Sequence, residues 1–187
     1  MKRTLLILCL LVSVVACDQI TKAVARNRIE DHKIIEVFGR FVILTHVENN
    51  GAFLGLGSNW PAPVRAAIFG VLSGVIVVVA IVYLFHDRRM KTIPTIAFSF
   101  IAAGGIGNMI DRIAFGGRVT DFLNIGVGKI RTGVFNAADL FLMIGLVLYI
   151  VTGFRSERKP RDDDSIPSLD PEHDATTPDR RHLDRGE

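Results

Sequence analysis

The sequence predicts a membrane protein, all-α with a small β element: four transmembrane helices and an extracytoplasmic β-hairpin or sheet lying on the membrane surface. Three observations predict it. The 187-residue chain is 49% hydrophobic, with a mean hydropathy of +0.36. Its apolar residues come in long runs rather than in the alternations of a soluble core. Clusters of Lys and Arg recur between those runs at the intervals a four-span topology requires.

The first apolar run is Thr4–Cys17 behind Lys2-Arg3. It is short of the roughly 20 residues that cross a bilayer, but it continues at helical spacing to about Ala25. Asp18 and Lys22 stand at i and i+4 with the acid first, the favourable order for a helix pair. Val14-Val15-Ala16-Cys17 also reads as the lipobox of a cleaved leader. With three later spans already holding the chain, we read an uncleaved helix over 4–25. The loop 26–63 contains Ile34–Phe38 and Phe41–Val47, two β-branched and aromatic runs joined at Gly39-Arg40, which predict a hairpin over 34–47. Helices are expected over 64–85, 93–110 and 134–154.

Lys2-Arg3, then Arg88, Arg89 and Lys91, then Arg155, Arg158 and Lys159 all fall on one side of four spans. That side is expected to be cytoplasmic, with both termini there. Residues 1–154 carry fifteen basic and nine acidic groups, whereas residues 155–187 carry seven and ten. The second stretch is rich in Asp, Pro, Arg and Ser and has little to bury, so it reads as a disordered cytoplasmic tail. The basic residues are not gathered on one face, which argues against nucleic-acid binding. Cys9 and Cys17 give no disulfide framework. No HExxH occurs, and no metal or other cofactor is expected.

Ionisable residues at membrane depth are costly and are functional candidates. Four acids fall at the outer ends of the expected helices: Asp18, Asp111, Asp121 and Asp139. Asp139 is expected about 7–8 Å below a helix start at Val134, and Asp121 lies in a β-like run, Arg118–Leu123. Asn108 and Asp111 share a helix face, and Asp111-Arg112 suit a positioning role. Asn49-Asn50-Gly51 offers a turn, or an amide and exposed backbone that could hold an extended peptide. Two carboxyls in one low-dielectric pocket do not both ionise easily, so one keeps a proton while the other acts as base. That is the chemistry of metal-free aspartic peptide hydrolysis. A D-[TS]-G triplet and a GxGD motif are both absent, and no helix supplies a His to activate Ser73. The alternative is a small transporter or proton relay built on the same four acids, which would want acids at several depths.

Five segments, Asp18–Lys22, Asn49–Phe53, Gly107–Arg112, Val119–Phe122 and Phe135–Asp139, together resemble the lipoprotein signal peptidase (signal peptidase II) family. The resemblance covers about residues 1–154, which it implies form the four-helix peptidase domain. It implies a bacterial inner-membrane aspartic endopeptidase that removes the signal peptide from diacylglyceryl-modified prolipoproteins, cutting before the lipidated cysteine. By the same resemblance Asp121 and Asp139 are the catalytic pair. Asp18, Lys22, Asn49, Gly51, Asn108, Arg112 and Asn136 match positions that shape the pocket or hold substrate. The expected partners are prolipoproteins and membrane lipids, and the expected state is monomeric.

Overall fold

The computed structural model describes residues 2–50 and 60–157. Gly51 and residues 158–187 of the expected tail lie outside the described residues. The elements run α1 Lys2–Arg28, β1 Ile35–Val37, β2 Val42–Asn49, α2 Ala62–His86, α3 Thr92–Ala114, β3 Val119–Val127, β4 Ile130–Arg131 and α4 Ala137–Glu157.

Helix α1 has neither Gly nor Pro in its 27 residues and runs unbroken past Cys17. Helices α2 and α3 place Pro63 and Pro94 in their first turns, where the missing N–H has no helical partner to lose. Helix α3 stops at a Schellman cap: Gly116 is left-handed at φ +63°, and the Gly117 N–H reaches the Arg112 carbonyl at 2.7 Å. Helices α1, α2 and α3 are long and apolar enough to cross a membrane, and the apolar stretch of α4, Ala137–Thr152, is shorter.

Helix α3 is central and packs against α1, α2 and α4. Its small residues allow this. A Cβ on Gly104 would sit 2.5 Å from the Ala138 carbonyl of α4, and one on Gly105 would sit 2.5 Å from the Val77 side chain of α2. Ile7, Ala80, Leu84 and Ala102 form the apolar core, at the end of the bundle where Arg3 donates to the Leu84 carbonyl at 2.7 Å. Outward residues of α2 such as Val71, Val78 and Val79 are exposed, as a lipid-facing helix requires.

The four strands form one antiparallel sheet in the order β1-β2-β3-β4. The hairpin turn is at Gly39-Arg40, with the Phe41 N–H reaching the Phe38 carbonyl at 3.2 Å. Phe38 is itself left-handed at φ +50°, which ends the ladder at Val37↔Val42. Strand β2 then extends to Asn49 and pairs with β3, setting Val47 opposite Asp121 and Asn49 opposite Val119 after a bulge between Leu44 and Val47.

Two expected boundaries are corrected, the first being that α3 runs through Asp111 and Arg112 to Ala114 rather than ending at Ile110. Helix α4 begins at Ala137, not Val134, so Asp139 lies in its first turn rather than 7–8 Å deep. Phe135 is drawn into the sheet instead: it bridges Leu123, exchanging N–H···O bonds of 2.8 Å in both directions. That leaves Asn136 as the helix cap.

Candidate active site

Where α1, α3, α4 and the sheet meet, buried polar groups collect. Asp18, Lys22, Asn108, Asp111, Thr120, Asp121 and Asn136 are all buried. Buried polar groups must be paired, and the pairing divides this cluster into a charged half and an amide half.

The charged half is a chain of alternating sign. Asp18 lies 2.9 Å from Lys22, one helical turn on. Lys22 lies 3.4 Å from Asp111, and Asp111 lies 3.7 Å from Arg26. The other oxygen of Asp18 accepts the Ala138 N–H at 2.9 Å, tying α1 to the start of α4. Gly107 makes room for it, since a Cβ there would stand 2.5 Å from the Asp18 Oδ2. Asp111 Oδ2 accepts the Thr120 N–H at 2.9 Å, which fixes the strand one residue before Asp121. Gln19 donates to Asp18, the Gly107 carbonyl and Asp111 at 3.0–3.3 Å.

The amide half links the two remaining acids. Asn136 caps α4 reciprocally: the Asp139 N–H donates to its Oδ1 at 3.0 Å, and its own N–H reaches Asp139 Oδ2 at 3.4 Å. This is a capping box with Asp in the return position. The Asn136 Nδ2 donates to Asp121 Oδ1 at 2.6 Å and to Asn108 Oδ1 at 3.1 Å. Lys22 also donates to Asn108 Oδ1, at 2.9 Å. With its oxygen so occupied, Asn108 turns its Nδ2 to Asp139 Oδ1 at 2.7 Å. Asn49 donates to Asp121 Oδ2 at 2.8 Å. Both oxygens of Asp121 are therefore held, from β2 and from α4.

Burial pushes the Asp121 carboxyl up to about 7, and the neighbouring charge of Asp139 adds to the shift. The hydrogen bonds from Asn49 and Asn136 and the charge of Lys22 act against it. Near neutral pH, Asp121 thus stands between its two protonation states. Arg112 is half-buried, donates weakly to the Asn108 carbonyl at 3.4 Å, and lies within electrostatic reach of Asp139, Asp121 and Asp111. Among the described residues no three His, Cys, Asp or Glu are grouped to hold a metal ion.

Every described residue that the sequence singled out therefore joins this one cluster. The structure adds Gln19, Arg26 and Thr120. Arg26 carried a usable signal, because it continues the i, i+4 series Asp18, Lys22. Among the described residues, the helices carry no acid between this cluster and Asp87 and Glu157 toward the other end of the bundle.

The family model for signal peptidase (SPase) II matches residues 10–155. The chain belongs to the signal peptidase II family. Among similar proteins, the lipoprotein signal peptidase of Desulforapulum autotrophicum is 36% identical over 151 residues, covering 79% of this chain and 91% of that one. The lipoprotein signal peptidase of Staphylococcus aureus is 32% identical over 152 residues, covering 81% and 89%. A bacterial membrane enzyme solved in meso at 2.3 Å superposes with a TM-score of 0.73 at 28% identity, covering 83% of this chain and 93% of that one. Membership in the signal peptidase II family carries an activity, removal of the signal peptide from prolipoproteins. It also carries a membrane location, in keeping with the long apolar helices.

Proposed function

We propose that this signal peptidase II is an aspartic endopeptidase. It cuts diacylglyceryl-modified prolipoproteins just before the lipidated cysteine, with Asp121 and Asp139 as the catalytic pair. The observation that carries this reading is the amide bridge. Asn136 and Asn108 donate to Asp121 and Asp139 respectively, and Asn136 also donates to Asn108, so both carboxyls are oriented by the same few side chains.

The chemistry follows from one proton shared between two acids. The ionised carboxyl takes a proton from an attacking water. The protonated one donates a hydrogen bond to the scissile carbonyl oxygen, and a proton then passes to the leaving amine as the C–N bond breaks. Arg112 would hold a substrate carbonyl, while Asp18, Lys22 and Asp111 fix the scaffold. Gly51 and Asn49 would border the bound peptide.

In the membrane, residues 1–154 form the peptidase domain with four spans. The short apolar stretch of α4 completes the bundle, its capped end opening on the sheet. Both termini are cytoplasmic, the sheet and the carboxyl pair face the outer side of the inner membrane, and residues 155–187 form a tail outside the chemistry. The enzyme acts as a monomer on lipid-embedded substrate.

The test is to incubate purified protein with a diacylated prolipoprotein and follow substrate mass. The parent should release the signal peptide. Asp121→Asn and Asp139→Asn should each lower turnover by about 10³-fold or more while remaining folded, and chelators should have no effect. Near-normal turnover in either variant would remove that residue from the pair.

A further inference from the structure

We propose that Arg26 is a positioning residue for this reaction, aiming Asp121 through Thr120 and balancing the buried charge behind it; the inference rests on the reading that Asp121 belongs to the catalytic pair. Adjacent residues of a strand point to opposite faces. In β3, Asp121 turns to Asn49 and Asn136, and Thr120 turns the other way. Thr120 is 3% exposed and is held at two points. Its N–H donates to Asp111 Oδ2 at 2.9 Å, and its hydroxyl accepts from Arg26 Nη1 at 2.8 Å. Rotation of the strand about its own axis would break both bonds, so fixing Thr120 fixes the direction of Asp121.

Arg26 is itself immobilised. Its guanidinium lies 4.6 Å from the centroid of the Phe115 ring, at the end of α3, and 3.7 Å from Asp111. Such a planar cation satisfies ring, hydroxyl and carboxylate together, which an ammonium does not. A basic residue in the last turn of α1 would in any case complement the helix dipole, but that role needs none of these three contacts.

The charge count gives a second consequence. Asp18 and Asp111 face Lys22 and Arg26, two anions against two cations. Removing Arg26 makes the cluster behind the strand that carries Asp121 more negative by one charge. The groups facing Asp121 are Asn49 from β2, Asn136 and Asp139 from α4, Lys22 from α1 and Arg112 from α3. Lys22 and Arg112 already stand near Asp111, and neither gains charge when Arg26 is lost.

The experiment uses the purified full chain and a diacylated prolipoprotein. Arg26→Gln should lower kcat about tenfold with KM within about twofold, because chemistry is misaligned while binding is kept. It should also move the alkaline limb of the pH profile upward by about half a unit, since added negative charge favours protonated Asp121. Arg26→Lys should restore the limb but only part of kcat. Unchanged kcat and pH profile in Arg26→Gln would overturn the proposal. Should that variant fail to fold, Thr120→Val keeps the ion pair and removes only the hydroxyl; it should lower kcat several-fold, and unchanged kcat there overturns the proposal equally. Asp121→Asn separates the two levels: turnover retained in it sinks the paired-carboxyl reading, whereas its loss beside an unaffected Arg26→Gln sinks this inference alone.

Discussion

Burial and the charge of Asp139 hold the Asp121 carboxyl at about 7, and the sign of that shift has two measurable effects. An acid that is weaker folded than unfolded binds its proton more tightly in the folded protein. Its burial therefore costs nothing below about pH 4, where both states are protonated. The cost grows as pH rises to about 7 and is then constant, on the order of 4 kcal/mol. The melting-temperature difference between Asp121→Asn and the parent should move in the variant's favour from pH 4 to pH 7 and level off beyond. A pH-independent difference in thermal scans would mean that folding leaves the Asp121 carboxyl at its ordinary acidity. For activity, kcat/KM should fall with an alkaline limb near pH 7 as Asp121 loses its proton; a profile flat to pH 9 would exclude Asp121 as the proton donor. At this scale the sequence was informative about residue type and order: Asp121, Asp139, Asn108 and Asn136 all stand in recognisable segments. It was silent on the wiring. That the Asn108 amide faces Asp139 follows from Lys22 occupying its oxygen, a contact across 86 positions.

At the scale of elements, the helices were legible because hydropathy and helical period are local properties. The end of α3 was blurred because Asp111-Arg112 looked like a boundary, whereas both are inside the helix and the stop is the Gly116-Gly117 cap. The hairpin was legible from its turn. The β2–β3 pairing was not, because it joins residues seventy or more positions apart and leaves no periodic trace. The start of α4 was misjudged for the same reason, since Phe135 belongs to a strand partner chosen at a distance. Close packing gives the clearest element-level prediction. Gly104→Ala puts a methyl 2.5 Å from a backbone carbonyl, whereas Gly74→Ala meets only Met109 at 3.6 Å. Gly104→Ala should cost about 1–3 kcal/mol and Gly74→Ala should be close to neutral, as read by thermal unfolding in detergent. Equal effects would mean that α3 and α4 are not packed as described. Asn136→Ala should cost at least about 1 kcal/mol from the cap alone, and should abolish turnover as well because the bridge between the acids is lost.

At the scale of the whole molecule, the proposed topology predicts that reporters fused at residue 50 and at the C-terminus lie on opposite sides of the membrane; the same side for both would overturn it. Deleting residues 160–187 should leave processing in membranes nearly unchanged. Within α1, the pairing of Asp18 with Lys22 bears on how such a protein is made. A lone charge in a span costs up to about 2.5–3.5 kcal/mol at its centre and less toward the end where Asp18 stands, and α1 leaves the ribosome before α2, α3 and α4. The group that Asp18 eventually caps, the Ala138 N–H, is 120 residues downstream. At 5–20 residues per second it arrives roughly 6–24 s later. A carboxylate and an ammonium one turn apart neutralise each other without outside help, so α1 can partition into lipid as a self-contained dipole. The bond that serves the finished enzyme thus doubles as a travelling counter-ion during biogenesis, and the later helices inherit an acid already paired and waiting at the depth where they dock.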